Sequence, residues 1–500
     1  MPRRFAVLAL LLSLATPALA QELRHARPRS LDMEHLRLEL DVDLKARAIK
    51  GSADWKAKAL RACDELRLDA VELDVTAVEL ARGGKALKRV SFVNTGTELV
   101  IPAPGLKRGE ELSFRITYSA SKTKLGLHWF QPSAEDPDVP LQVWSQGESL
   151  ENRYWIPCVD HPAERQTTEI LVRVPKGFQA LANGALVETR EEAGKTLYHW
   201  RQKRSHVIYL VSLVVGRFQI IRETWRGRPV TYWLPLGWKR YAKNSFGNTK
   251  RMLDFFSERT GVVYPWEKYA QVIVEQFSHG GMENTSATTL NGYTLHNDRA
   301  HLDFSSDGLV AHELAHQWYG DLLTSQDWAH VWLNEGFATY FQALWHEFDK
   351  GADDFAYEMY GKSHGALRAK SRPILDRRYP DADSMFDGRA YPKGAWVLHM
   401  LRRRLGDDAF FRGIKLYTRR NAERCVETSD LRKALEEASG LSLERFFYDY
   451  VETAGHPVFD LRFKWHSKSK LLEVQVKQTQ KGDAYELPVV VEARSAEGKA

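Results

Sequence analysis

His312 and His316 bracket Glu313 in the run His312-Glu313-Leu314-Ala315-His316, and 18 residues separate that run from Glu335 in Trp332-Leu333-Asn334-Glu335-Gly336. On an α-helix, residues four apart rise about 6 Å and turn about 40° past a full circle, so both histidines share one face. Two imidazoles on one face can hold the same ion, and a hydrolytic zinc takes three protein ligands while one position stays open to water. Glu335, in a second helical pattern, supplies the third ligand. Glu313 stands beside the first histidine, where its carboxylate can meet the activated water as general base. A chain of ordinary composition and this length shows His-Glu-x-x-His by chance in roughly a few per cent of cases, and a glutamate at one fixed later position lowers that by a further factor of about 15. These four residues are therefore read as a catalytic site for one zinc ion, in preference to incidental groups on an amphipathic helix.

The elements that must position this site change character along the chain. From about Leu31 to Phe218 the pattern has period two: Leu36, Leu38, Leu40, Val42 and Leu44 alternate with polar residues, and Thr168 to Val174 repeats the theme. This predicts an antiparallel β domain, with the apolar run Val207 to Val215 as a buried strand. The period turns helical at Thr249 to Arg259, and Tyr269 to Glu275 is predicted as a strand leading into His279-Gly280-Gly281-Met282-Glu283-Asn284. Helical patterns dominate from Leu309 to Tyr450, with Thr428-Ser429-Asp430 as a cap for Leu431 to Ala438 and Gly440 as its stop. Strands are predicted again at Phe459 to Trp465, Leu471 to Gln478 and Leu487 to Ala493. Three or four strands are too few for an independent sandwich of about seven, so the sequence is expected to be cut short there.

Composition bounds the rest. The first twenty residues read as a secretory signal, with Arg3 and Arg4, an apolar stretch from Phe5 to Ala15, and Ala18-Leu19-Ala20 before Gln21. The apolar stretch is too short to span a bilayer comfortably, so an exported protein, periplasmic or extracellular, without a membrane span is expected. The formal net charge of +6 falls to +4 without Arg3 and Arg4, mild for 500 residues, and clusters such as Arg402-Arg403-Arg404 read as a solvated helix face with no nucleic-acid partner. Cys63, Cys158 and Cys425 exclude a disulfide framework and a thiolate zinc site; one disulfide remains open, with no pair chosen.

Peptide hydrolysis needs more than an ion and a base: the oxyanion of the tetrahedral intermediate wants a second stabiliser, usually a hydrogen-bond donor. Tyr391, in Tyr391-Pro392-Lys393-Gly394 before a helical run, offers one, although a tyrosine there is by itself ordinary packing. Gly280 to Asn284 by itself is a turn after a strand with an exposed glutamate, and Gln146 and Glu148, in Trp144-Ser145-Gln146-Gly147-Glu148, are equally plain in isolation.

Taken together, these segments resemble the gluzincin zinc aminopeptidases, the family of aminopeptidase N and leukotriene hydrolase. Four separated motifs stand in the family's order, and the resemblance covers about Leu31 to the C-terminus. It implies that His312, His316 and Glu335 are the zinc ligands, that Glu313 is the general base and that Tyr391 is the transition-state tyrosine. Gly280, Gly281, Met282, Glu283 and Asn284 match the exopeptidase motif, whose glutamate binds the substrate's free α-amine, and Gln146 and Glu148 match the segment that reaches in from the N-terminal domain. A carboxylate pair at Glu148 and Glu283 would hold an α-ammonium group so that only the first peptide bond lies over the zinc, which suits an exopeptidase acting on peptides with a free N-terminal amine.

The implied architecture is multidomain: a signal peptide at 1–20, a saddle-like antiparallel β domain at 21–222, a thermolysin-like, mostly helical α/β catalytic domain at 223–456, and the start of a β-sandwich at 457–500. Two departures stand out. His279 precedes the glycines where the family shapes its pocket for the first side chain, and no segment corresponds to the family's C-terminal helical domain, so residue and length preferences stay open. Asp383, eight residues before Tyr391, keeps an epoxide hydrolase activity of the leukotriene hydrolase type as an alternative. A catalytically inactive peptide-binding relative is the other; it would have lost Glu313, Tyr391 or a ligand.

Overall fold

The computed structural model describes residues 23, 24 and 28–492, so the expected signal segment lies outside the described residues. Leu31–Asp43 buries Leu36, Leu38, Leu40 and Val42 and is central to an eight-stranded sheet. On one side it pairs antiparallel with Ala48–Ala59, Leu38 facing Ala53. On the other it pairs in parallel with Arg165–Pro175, Leu38 facing Ile170. The wholly antiparallel expectation is thus corrected: alternation reports which face is buried, not strand direction, and the long excursion through the intervening strands supplies the crossover that a parallel pair requires.

A separate four-stranded sheet has the order Gln179–Ala182, Leu213–Gly216, Gln142–Ser145 and Leu127–Phe130. Every residue of Gln142–Ser145 is buried, and this strand delivers Gln146 and Glu148 directly from its end. The single strand expected over Val207 to Val215 is broken: one strand ends at Val207, Ile208–Leu210 forms a 3-10 turn, and Leu213–Gly216 begins another strand. Polar side chains hold that break, with Asn152 Nδ2 donating to the Val211 carbonyl at 3.2 Å and the Ser212 amide donating to Asn183 Oδ1 at 2.8 Å.

The second half begins with a five-stranded sheet in the order Gln219–Trp225, Arg228–Leu234, Tyr269–Val274, Ala287–Asn291 and Gly281–Met282. The short edge strand Gly281–Met282 pairs antiparallel with Ala287–Asn291, Met282 facing Thr289, which sets Glu283 at the strand end. Nine α-helices follow among the described residues: α1 Ala242–Phe246, α2 Thr249–Thr260, α3 Asp307–His316, α4 Trp332–Lys350, α5 Ala352–Arg368, α6 Gly394–Leu405, α7 Asp407–Arg420, α8 Thr428–Ser439 and α9 Glu444–Phe447. Helix α8 starts earlier than expected because Glu427 and Asp430 form a reciprocal capping box, and it stops at left-handed Gly440.

Helix α4 is buried along most of its length and packs against α3, α5 and α6. The α4–α6 approach depends on glycine: a Cβ on Gly336 would sit 3.0 Å from Gly394 Cα and 3.1 Å from the Ala390 carbonyl oxygen. Gly336→Val is therefore expected to lower unfolding stability by about 1–3 kcal/mol, the usual cost of overpacking, read as a lower denaturant midpoint; an unchanged midpoint would mean that the helices separate freely.

Beyond His456, Phe459–His466 and Leu471–Gln478 form a two-stranded hairpin. Of the third expected strand, residues 487–492 join no ladder, and Ala493 lies outside the described residues. The chain there is drawn to the helical domain instead, with the Tyr485 ring tilted against that of Tyr450 and the Glu486 amide donating to Asp449 Oδ2 at 2.9 Å. Cys158 is buried, and Cys63 and Cys425 are half-buried. No helix among the described residues is long and apolar enough to cross a membrane.

Candidate active site

The last turn and a half of α3 carries His312, Glu313 and His316, and the first turn of α4 carries Glu335. The ligand atoms of His312, His316 and Glu335 all lie within 4.8 Å of one another. His312 Nε2 is 3.1 Å from His316 Nε2, and Glu335 Oε2 is 3.4 Å and 3.3 Å from those two nitrogens. Ligands held at about 2.0–2.1 Å around one tetrahedral ion stand roughly 3.3 Å apart, so this spacing fits zinc. His316 Nδ1 lies 2.9 Å from the Tyr319 carbonyl and donates to it, which leaves the Nε2 lone pair facing the centre. Burial alone would raise the Glu335 carboxyl, but His316 and both imidazole contacts hold it down at about 2, as an ion-binding carboxylate requires.

Glu313 is 4% exposed, and its Oε2 has no hydrogen-bond partner. It lies against the backbone of Gly281, where a Cβ would fall 2.4 Å from its carboxyl carbon. Glu313 is thus wedged between the His-His-Glu group and the glycine strand. Tyr391 belongs to a π-helical turn, Arg389–Lys393, and its ring stacks near that of His312, with centroids 6.2 Å apart. Burial, then the charges of Glu335, Glu148 and Glu283, push the Tyr391 phenol well above its usual range, so it stays protonated and able to donate.

These groups border a cavity of about 760 Å³, which Gln146, Glu148, Gly280, Gly281, Met282 and Glu283 also line. Glu283 is 3% exposed, so the reading of an exposed turn glutamate is corrected. Its burial follows from the residue after His316: Gln317 Nε2 donates to the Glu283 carbonyl at 2.7 Å, and Gln317 Oε1 accepts from the Ser286 amide at 2.9 Å. Asn284 does not line the cavity. It is fully buried and turned into the core, where its Nδ2 donates to Thr289 Oγ1 at 3.1 Å across the short strand pair.

Gln146 Nε2 donates to the Glu148 carbonyl at 3.2 Å and approaches Met282 Sδ at 3.3 Å, tying the N-terminal segment to the glycine strand. One carboxylate oxygen each of Glu148 and Glu283 is buried without a donor. Burial pushes both carboxyls up, with the charge of Glu283 adding to the effect on Glu148 and that of Glu335 to the effect on Glu283. A cation between them would relieve that cost.

Several participants carry no sequence signal of their own. Gln317 adjoins His316, but nothing local announces that it fastens a loop 34 positions earlier. Gln342, one helix turn beyond Ala338 on α4, Leu309 on α3 and Phe386 before the π-helical turn also line the cavity, beside Asp383, the residue that the sequence offers for the epoxide hydrolase alternative. Asp383 Oδ1 accepts from Ser149 Oγ at 2.7 Å, another tie between the two halves of the chain.

Residues 32–210 match the family model described as the Peptidase M1 N-terminal domain, and residues 244–450 match the Peptidase family M1 domain. Aminopeptidase M1-D of Oryza sativa subsp. japonica is 29% identical over 462 residues, covering 89% of this chain and 52% of the relative. Aminopeptidase M1-B of the same plant is 32% identical over 465 residues, covering 89% and 51%. The leucyl aminopeptidase of Saccharolobus solfataricus is 29% identical over 407 residues, covering 78% and 50%. The chain spans about half the length of these curated relatives. With its β half and its helical half matched in order by the two models of a single family, the chain belongs to peptidase family M1, the gluzincin aminopeptidases.

Proposed function

We propose that the protein is an exported zinc aminopeptidase that removes the first residue of peptides bearing a free α-amine. The observation that carries the reading is the joint lining of one cavity by the His-His-Glu group, Glu313, and the carboxylates Glu148 and Glu283, which the general base and the metal do not use. Export rests on the reading of residues 1–20 as a signal.

In this mechanism His312, His316 and Glu335 would hold the zinc, which would supply a nucleophilic water at neutral pH and polarise the scissile carbonyl. Glu148 and Glu283 accept hydrogen bonds from the substrate ammonium, with Gln146 assisting, and so set the first peptide bond above the centre. Glu313 takes the proton of the attacking water on a carboxylate oxygen and passes it to the departing amine nitrogen. The Tyr391 hydroxyl donates to the carbonyl oxygen as it gains negative charge. Glu313, Tyr391 and all three ligands are present, so the residues whose loss would mark an inactive relative are intact.

The test compares one peptide in free and N-acetylated form. A buried charge-assisted contact contributes about 1.5–3 kcal/mol, roughly ten- to a hundredfold. The wild type is expected to prefer the free amine by at least that factor, and Glu283→Ala to lower kcat/KM for the free peptide and shrink the preference. Equal cleavage of both forms, or preferential cutting of internal bonds, would replace this reading with a zinc endopeptidase.

A further inference from the structure

The π-helical turn that presents Tyr391 is anchored by side chains on both sides of the tyrosine. Arg389, 3% exposed, spreads its guanidinium over Asp387, Asp376 and the carbonyl of Ser384. Pro392 packs on α5 where a Cβ at Gly365 would meet its ring at 2.8 Å. The turn closes through the Lys393 amide, which donates to the Gly388 carbonyl at 3.1 Å, the i to i−5 bond of a π-helix. Lys393 itself is 7% exposed, and no step of the proposed mechanism uses it. Its Nζ donates to the Ala369 carbonyl just past the end of α5 at 3.0 Å and to the Gly455 carbonyl at 2.9 Å.

A buried amine is costly, and an apolar side chain of similar length would fill the same volume more cheaply. What an apolar chain cannot do is join two carbonyls from separate segments to the turn. Burial, with Arg389 alongside, pushes the amine down to about 8, and it keeps at least two N–H donors in either charge state. Gly394, the next residue, meets Gly336 across the α4–α6 contact, so the same turn is also registered against the residue after Glu335.

Building on the aminopeptidase reading, we propose that Lys393 is a positioning residue for Tyr391: its bonds to the Ala369 and Gly455 carbonyls hold the π-helical turn in the shape that sets the phenol over the metal centre. It touches neither substrate nor metal and acts only through Tyr391. A misplacement of about 1 Å can cost up to a hundredfold in rate, so a released turn should cost kcat and leave ground-state binding nearly intact.

A double-mutant cycle on the zinc-loaded protein tests this with aminoacyl amide substrates. Lys393→Met is expected to lower kcat by about tenfold or more, to leave KM within about threefold and zinc stoichiometry unchanged, and to add no further loss when Tyr391→Phe is already present. Lys393→Arg, which keeps the donors, should recover part of the rate. Equal fold losses in the two backgrounds, a loss carried by KM, or an unchanged kcat would overturn the proposal. Should Lys393→Met fail to fold, Lys393→Gln, which is polar but too short to reach both carbonyls, takes its place in the same cycle. A wild type that binds zinc yet cleaves no aminoacyl amide rejects the aminopeptidase reading alone. The positioning role is then decided by the fluorine-NMR resonance of a fluorotyrosine at position 391, which Lys393→Met should shift or broaden and which an unneeded lysine would leave unchanged.

Discussion

Glu313→Gln is expected to keep stoichiometric zinc and to lower kcat by about a hundredfold to ten-thousandfold, the range that removal of a general acid–base group costs. The carboxylate is 4% exposed and has an oxygen without a donor, so it is placed to accept a proton. Glutamine has almost the same shape, which matters because the side chain fills the gap against Gly281. The substitution therefore changes proton-accepting ability and little else. Turnover of an aminoacyl amide and the zinc content of the same sample check the expectation together. Zinc retained with wild-type turnover would assign the proton transfer to another group; zinc lost would mean that Glu313 supports the ligands and not the chemistry.

His316→Ala is expected to abolish stoichiometric zinc binding and, with it, activity. The variant leaves His312 and Glu335, two ligands where a stable hydrolytic site has three. Loss of an outer hydrogen-bond partner alone typically costs about ten- to a hundredfold in metal affinity, so loss of a ligand should exceed that. Stability offers a readout independent of turnover. A ligand that binds only the folded state at about a thousand times its Kd stabilises by about 4 kcal/mol, so zinc should raise the melting temperature of the chelator-stripped wild type and not that of His316→Ala. A variant that melts with the same zinc-dependent shift and holds a full complement of metal would remove His316 from the site.

Residues close in the chain carried what the sequence alone could determine. His312, Glu313 and His316 are placed by the helical period, and an α-helix is a local structure whose face can be read from spacing. Glu335 was legible because it opens another helix at a characteristic gap, and the alternation of Leu36, Leu38, Leu40 and Val42 marked a half-buried strand before any partner was known. The roles proposed for Tyr391, Glu283, Glu148 and Gln146 rest on resemblance and not on spacing, since a tyrosine before a helix or a glutamate after two glycines has no chemistry of its own.

Only the tertiary structure decided the rest. It turned Asn284 toward Thr289, broke the chain between Val207 and Leu213 with Asn152 and Asn183, and set Leu31–Asp43 parallel to Arg165–Pro175. It left residues 487–492 without a strand partner because Asp449 and Tyr450 draw the preceding segment toward the helices. It also brought Gln146 against Met282 across 136 positions and wound Arg389–Lys393 into a π-helical turn held from Ala369 and Gly455. Each of these outcomes is a competition between distant hydrogen-bond partners for one backbone group or one buried side chain. Local periodicity records which face is buried, and it carries no information about which remote carbonyl, amide or ring will be waiting there.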